Sequence, residues 1–328
     1  TEIKVYNWYD YIDPSVLGIF EEETGIHVNY VKFSQNEDMY TRLSTGAEVY
    51  DVVFPSEYMI ERLIKENLLA ELNLDNIPNS KNLLAGLQNV DFDPGRKHSL
   101  TWQSGFGGIV WNKEAFPKGL KSVSDLWQPE LKGRVEVLDE MRDTMGLLML
   151  DQGVDITGKW GEDEFENALD VLSKQIADGQ IRQVKGNSYK EDLISGDALA
   201  VIGWSGDITQ LNFEEGDKWE FALPEAGGTL WSDNLLVPIG ATHKSNAEKL
   251  MDYYYDPVNA ATVAAYVNYI CPVEGAREAM EAIDPELVEN PLIFPTDEYL
   301  ANAHVIRTLS PDEETDFNDR FQTAIGNC

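Results

Sequence analysis

Apolar and polar side chains alternate through IKVYNW (3–8), the period of a half-buried strand. The period then lengthens through PSVLGIFEEETG (14–25), which predicts a helix closed by Gly25. The exchange repeats along the chain. HVNYVKF (27–33) predicts a strand, EDMYTRLSTG (37–46) a helix, YDVVFP (50–55) a third strand and MIERLIKENLL (59–69) a third helix. Strands and helices alternating at this spacing predict a largely parallel sheet with helices on both faces. Ligands of such sheets bind just past the strand ends, so the residues there carry the most information.

The pattern breaks in a loop-rich segment, PNSKNLLAGLQNVDFDPGRKH (78–98), and resumes after LTWQSGFGGIVWN (100–112). GRVEVLD predicts a strand ending in acid, and DTMGLLMLDQG (143–153) a helix. EDEFENALDVLSKQIADG (162–179) predicts an amphipathic helix with Phe165, Ala168, Leu169, Leu172 and Ile176 on its apolar face. DALAVIGW, KWEFAL and NLLVPIG predict strands, NAEKLMDYYYD and PVNAATVAAYV helices, and SPDEETDFNDRFQTAIG a last polar helix. The small-residue helix after NLLVPIG suits a parallel strand returning to the first domain. SGFGG (104–108) lacks the lysine of a phosphate loop and reads as a flexible crossing between domains. The boundaries expected are 1–105 plus 236–305 for one lobe, 106–235 for the other, and 306–328 as a C-terminal helix and tail of unassigned lobe.

Charge narrows the classes. The 328 residues carry 58 Asp and Glu against 25 Lys and Arg, a formal net charge of -33. Such a field repels nucleic acid and anionic membranes and attracts cationic solutes, although acidic surfaces also simply keep proteins soluble. The sequence holds no apolar run long enough to span a bilayer. It opens on a strand rather than on the basic and apolar regions of a leader, which fits a cytosolic protein or a mature exported one. Cys271 and Cys328 match no zinc spacing. One disulfide tying the C-terminus to the body and two free thiols are both open.

Enzymatic signatures are missing from the sequence. His27, His98, His243 and His304 are scattered, and there is no HExxH, cysteine cluster, GxSxG or calcium loop. What recurs is an aromatic residue or a carboxylate at a strand end. Trp8, Tyr9, Asp10 and Tyr11 follow the first strand, and Ser56, Glu57 and Tyr58 the third. Asp139, Glu140, Arg142 and Asp143 follow VEVL. Trp204 and Asp207 follow LAVIG, and Trp231 and Asp233 precede NLLVP. Any exposed rim needs polar residues, so each placement alone is also ordinary packing. Five together suit an alkylammonium ligand: carboxylates bond each ammonium, and aromatic faces flank the methylenes at about 0.5–2 kcal/mol each. An amino-acid ligand would need an arginine for its carboxylate, and Arg142 reads instead as orienting its acidic neighbours.

YNWYDYI, ETGIHVNY, YDVVFPSEY, IVWNKEA, SVSDLWQPELKG, GDALAVIGWSGD and GGTLWSDNLLVP span nearly the whole chain, and through them it resembles the periplasmic spermidine/putrescine-binding proteins of ABC importers. The resemblance implies an α/β fold of the periplasmic-binding-protein type II class, a two-lobe Venus flytrap with mixed sheets flanked by helices. It implies a polyamine, spermidine or putrescine, held in the interlobe cleft and delivered to an ABC transporter permease. It implies a periplasmic or extracytoplasmic monomer, free or tethered by a lipid anchor outside this sequence, with no catalysis, cofactor, metal or nucleic-acid partner. Carried over position by position, the ligand residues are Trp8, Asp10, Tyr58, Glu140, Asp143, Trp204, Trp231, Asp233 and Tyr269. Tyr9, Tyr11, Ser56, Glu57 and Asp207 are secondary candidates. Glu140 stands where the family has aspartate and Asp143 where it has glutamate, an exchange of size that bears on ligand length. Other amines, an amino acid or quaternary amine, a sensor role and an enzyme using paired carboxylates are the competing readings.

Overall fold

The computed structural model describes residues 1–8, 11–33 and 36–326. The first segment follows the hydrophobic pattern closely. β1 (Glu2–Trp8), α1 (Pro14–Thr24), β2 (His27–Phe33), α2 (Asn36–Thr45), β3 (Val52–Val53) and α3 (Glu57–Lys65) alternate as expected. Asp13 caps α1 by accepting the Ser15 N–H at 2.9 Å, Pro14 opens the helix, and Gly25 closes it at φ +69°. The helix α3 starts two residues earlier than its apolar period suggests, which brings Glu57 into its first turn.

Short helical turns fill the loop-rich stretch up to β4 (Ser99–Asn112). Then come β5 (Val135–Leu138), α4 (Met141–Asp151), α5 (Glu162–Ala177), β6 (Ile181–Lys185), α6 (Tyr189–Ser195), β7 (Ala200–Trp204) and α7 (Ser205–Glu215). The chain continues through β8 (Trp219–Ala222), β9 (Gly228–Leu236), α8 (Lys244–Tyr254), α9 (Pro257–Val267), α10 (Ala276–Ile283), α11 (Asp297–Leu300), β10 (Ala303–His304) and α12 (Pro311–Ile325). Two compact units result: residues 1–104 with 232–295, and residues 105–231 with 296–328.

In the first unit, β1 runs parallel to β2 over its whole length, from Glu2 opposite His27 to Trp8 opposite Phe33, and parallel to β3 at Val5 and Tyr6. Parallel pairing brings the carboxyl ends of β1 and β3 to the same edge, where Trp8 and Ser56 stand. The returning strand β9 is not parallel as the sequence suggested: Leu236 pairs antiparallel with Val53. Tyr6, Phe33, Met39, Tyr50, Val53, Met59, Ile60 and Leu63 form a core cluster of this unit, and α9, whose buried side chains are largely alanines, packs against α10, α8 and α1.

In the second unit, β5 lies parallel to both β6 and β7, while β4 pairs antiparallel with β7 and β8. β10 adds a short parallel pairing to β9, Ala303 opposite Gly228. The polar tail helix α12 packs here: Phe317 stacks on Phe165 of α5 with ring centres 4.4 Å apart. The boundary between the two units falls between Ser104 and Gly105, inside SGFGG as the sequence suggested, and the stretch is strand backbone of β4 in which Gly107 and Gly108 also serve close packing. A Cβ on Gly107 would fall 2.2 Å from Thr229 Oγ1 and 2.8 Å from Asp143 Oδ1. One on Gly108 would fall 2.5 Å from the Ala222 carbonyl.

Candidate ligand site

The strand edge of the first unit places Asp233 at its centre. Ser56 bridges Asp233 in antiparallel register, and the Asn234 N–H donates to the Pro55 carbonyl at 2.9 Å, so backbone pairing aligns the two segments. Asp233 is 6% exposed, and two neutral hydroxyls hold it: Tyr11 Oη donates to Oδ2 at 2.7 Å and Ser56 Oγ to Oδ1 at 2.7 Å. Burial, then the Asp233 charge and hydrogen bond, push the Tyr11 phenol well above its ordinary value, so Tyr11 stays a donor. Glu57 accepts the Ser232 N–H at 2.7 Å.

Tyr11 in turn sits among aromatic side chains. Tyr11 meets Tyr269 edge to face at 6.1 Å and Trp102 at 6.3 Å. Trp8 is half-buried; its indole N–H donates to the Phe54 carbonyl at 2.7 Å and its ring packs on Phe33, which fixes the indole plane. Tyr58 packs against the core of its unit and donates to Glu37 at 3.3 Å. Tyr9 and Asp10, both expected here, lie outside the described residues, as does Cys328. Cys271 is buried with a free thiol that burial pushes up to about 12.

The second unit repeats the chemistry on Asp143. Helix α4 begins at Met141, two residues before the helix that the sequence predicts from Asp143, so Glu140, Arg142 and Asp143 all belong to the helix start. Glu140 is the cap, accepting the Asp143 N–H at 3.0 Å. An acidic residue in the first turn is favoured by the positive helix end. Asp143 is 6% exposed; Thr229 Oγ1 donates to Oδ1 at 2.6 Å and Trp204 Nε1 to Oδ2 at 2.8 Å. Burial holds its carboxyl above the usual carboxylate range, against those two hydrogen bonds and the Arg142 charge. Trp204 closes β7 and caps α7, a helix with no clear signal in the sequence. Trp231 stands half-buried within β9, because the strand starts at Gly228 and not at NLLVP as the sequence suggested.

Arg142 does not simply orient its acidic neighbours. Its Nη1 donates to Glu314 Oε1 at 3.1 Å and its Nη2 to Glu314 Oε2, a two-pronged bond to the first turn of α12. Asp207 is also engaged within its unit: Tyr189 Oη donates at 2.7 Å, Asn187 Nδ2 at 2.8 Å, and Lys190 Nζ lies 3.5 Å away. Thr229, Gly107 and Glu314 were missed in the sequence. Their part depends on spatial neighbours, and no local motif marks them. Among the described residues, no group of three or more His, Cys, Asp or Glu could hold a metal ion, and no helix is long and apolar enough to cross a membrane.

A family model described as bacterial extracellular solute-binding protein matches residues 17–295. The spermidine/putrescine-binding periplasmic protein 1 of Haemophilus influenzae is 30% identical over 313 residues, covering 92% of this chain and 83% of that protein. The spermidine/putrescine-binding periplasmic protein of Escherichia coli is 29% identical over 324 residues, covering 98% and 86%. The spermidine/putrescine ABC transporter substrate-binding protein of Streptococcus pneumoniae superposes with a TM-score of 0.86 at 29% identity, over 100% of this chain and 99% of that one. The fold is α/β with mixed sheets flanked by helices, the periplasmic-binding-protein type II class, and its members bind solutes rather than transform them. The chain belongs to the bacterial extracellular solute-binding proteins, in the spermidine/putrescine-binding periplasmic family of ABC-importer substrate-binding proteins.

Proposed function

We propose that this protein binds a linear polyamine, putrescine or spermidine, outside the cytoplasmic membrane and hands it to the permease of an ABC importer. One observation carries the reading. Each unit buries an aspartate and holds it with one aromatic donor and one aliphatic hydroxyl: Asp233 with Tyr11 and Ser56, Asp143 with Trp204 and Thr229. These donors are neutral, so they orient the carboxylates without cancelling their charge. A carboxylate accepts about four hydrogen bonds, so two protein donors do not saturate Asp143. A buried carboxylate whose proton affinity is raised gains most from a cation that replaces the proton.

Trp8, Tyr58, Trp204, Trp231 and Tyr269 supply the aromatic faces for the methylenes in this reading, and Glu140 a further charge near Asp143. Tyr11 and Ser56 act as supports of Asp233, Glu57 as a support of the Ser232 backbone, and Asp207 as a structural carboxylate of its own unit. The occupied guanidinium of Arg142 argues against an amino-acid ligand, whose carboxylate would need it. The relatives' names point the same way. The protein is free in the periplasm or tethered there by a lipid anchor.

Titration calorimetry with putrescine, spermidine, spermine and a neutral diol of matched length tests the reading. One-to-one binding of at least one polyamine, and no heat with the diol, is the expected result. Silence with all the amines, in protein that melts cooperatively, would refute it.

A further inference from the structure

A guanidinium beside an acceptor carboxylate competes with a cationic ligand for it. Arg142 immediately precedes Asp143 in the first turn of α4, and its charge acts on that carboxyl. The positive helix end disfavours a cation in that first turn and favours the carboxylates there. Yet the guanidinium reaches both carboxylate oxygens of Glu314, 172 positions further along the chain, with side-chain exposures of 10% and 28%.

Glu314 arrives by a route independent of this bond. Phe317, one turn on, stacks against Phe165 at 4.4 Å and Trp160 at 5.6 Å. Arg320 donates to Glu162 at 2.8 Å, and Arg307 bonds Glu313 at 2.6 Å. The helix α12 is therefore seated on α5 by its own apolar and ionic contacts, and the Arg142–Glu314 bond is an addition to them.

We infer that Glu314 is a positioning residue for ligand recognition: it engages Arg142 so that Asp143 remains the acceptor for a ligand ammonium. The inference rests on the polyamine reading above. With Glu314 neutralised, the guanidinium has Asp143 and Glu140 as its nearest acidic sequence neighbours, and it pairs with the carboxylate that the ligand needs.

The test is a mutant cycle read by calorimetry with spermidine and putrescine, each variant checked by thermal melting. Glu314→Gln is expected to weaken binding at least about tenfold, about 1.4 kcal/mol. Arg142→Met is expected to bind at least as tightly as wild type, and the double variant to recover to within about threefold of it, a coupling of opposed signs. A merely structural bond predicts the reverse, with both single variants and the double weakened alike. Unchanged binding in Glu314→Gln, no recovery in the double variant, or a tenfold loss in Arg142→Met alone would each overturn the inference. Should Glu314→Gln fail to fold, Arg142→Met still decides it. Wild-type protein that binds no polyamine would overturn the reading beneath it, an outcome separate from wild-type binding with an inert Glu314.

Discussion

Replacing Asp233 by asparagine keeps the shape of the side chain and removes its charge. In the wild type, Tyr11 and Ser56 each donate to one carboxylate oxygen at 2.7 Å, and the residue is 6% exposed. Asparagine offers one acceptor oxygen and one NH2, so one of the two hydroxyls must rotate and accept instead. That exchange trades a charge-assisted bond for a neutral one, and it costs the fold about 0.5–1.5 kcal/mol. The loss in binding is larger. A buried ammonium deprived of its charged partner costs about 2–5 kcal/mol. At about 1.4 kcal/mol per factor of ten, the dissociation constant rises roughly 30- to 4000-fold. Because the surviving oxygen still accepts, the lower half of that range is expected. Calorimetry with putrescine and spermidine reads the affinity, and denaturant unfolding of the apo protein reads the stability separately. An Asp233→Asn protein that binds within about threefold of wild type, with normal stability, would show that Asp233 is not a charge anchor.

Asp207→Asn should behave in the opposite manner. Its carboxylate serves Tyr189, Asn187 and Lys190, so denaturant unfolding should show a loss of about 1–3 kcal/mol while polyamine affinity holds within about threefold. Binding should also weaken on acidification. The Asp143 carboxyl is raised in the unliganded protein and a bound ammonium would lower it, so ligand uptake releases a proton wherever Asp143 is partly protonated. Affinity is complete above the raised value and falls as the pH drops through it; titrations in buffers of different ionisation enthalpy detect the proton. Phe317→Ala should cost about 3–5 kcal/mol of stability, read by chemical unfolding, because it empties the stack on Phe165 and Trp160.

Periodicity alone determined much of this protein. The strand–helix alternation of residues 2–65 is a local matter, set by apolar spacing, by Asp13 and Pro14 at a helix start and by Gly25 at its end. The aromatic and acidic residues at strand ends were visible for the same reason, since strand ends are marked by where alternation stops. What the tertiary structure decided lies at long range. Asp233 is held by Tyr11 from 222 positions away and by Ser56 from 177, Asp143 by Thr229 from 86, and Arg142 is claimed by Glu314 from 172. The antiparallel entry of β9 and the packing role of Gly107 likewise depend on which segments become neighbours. Local propensity fixes the backbone of each element. The donors of a buried carboxylate are chosen only when sheet register and helix packing bring distant side chains together.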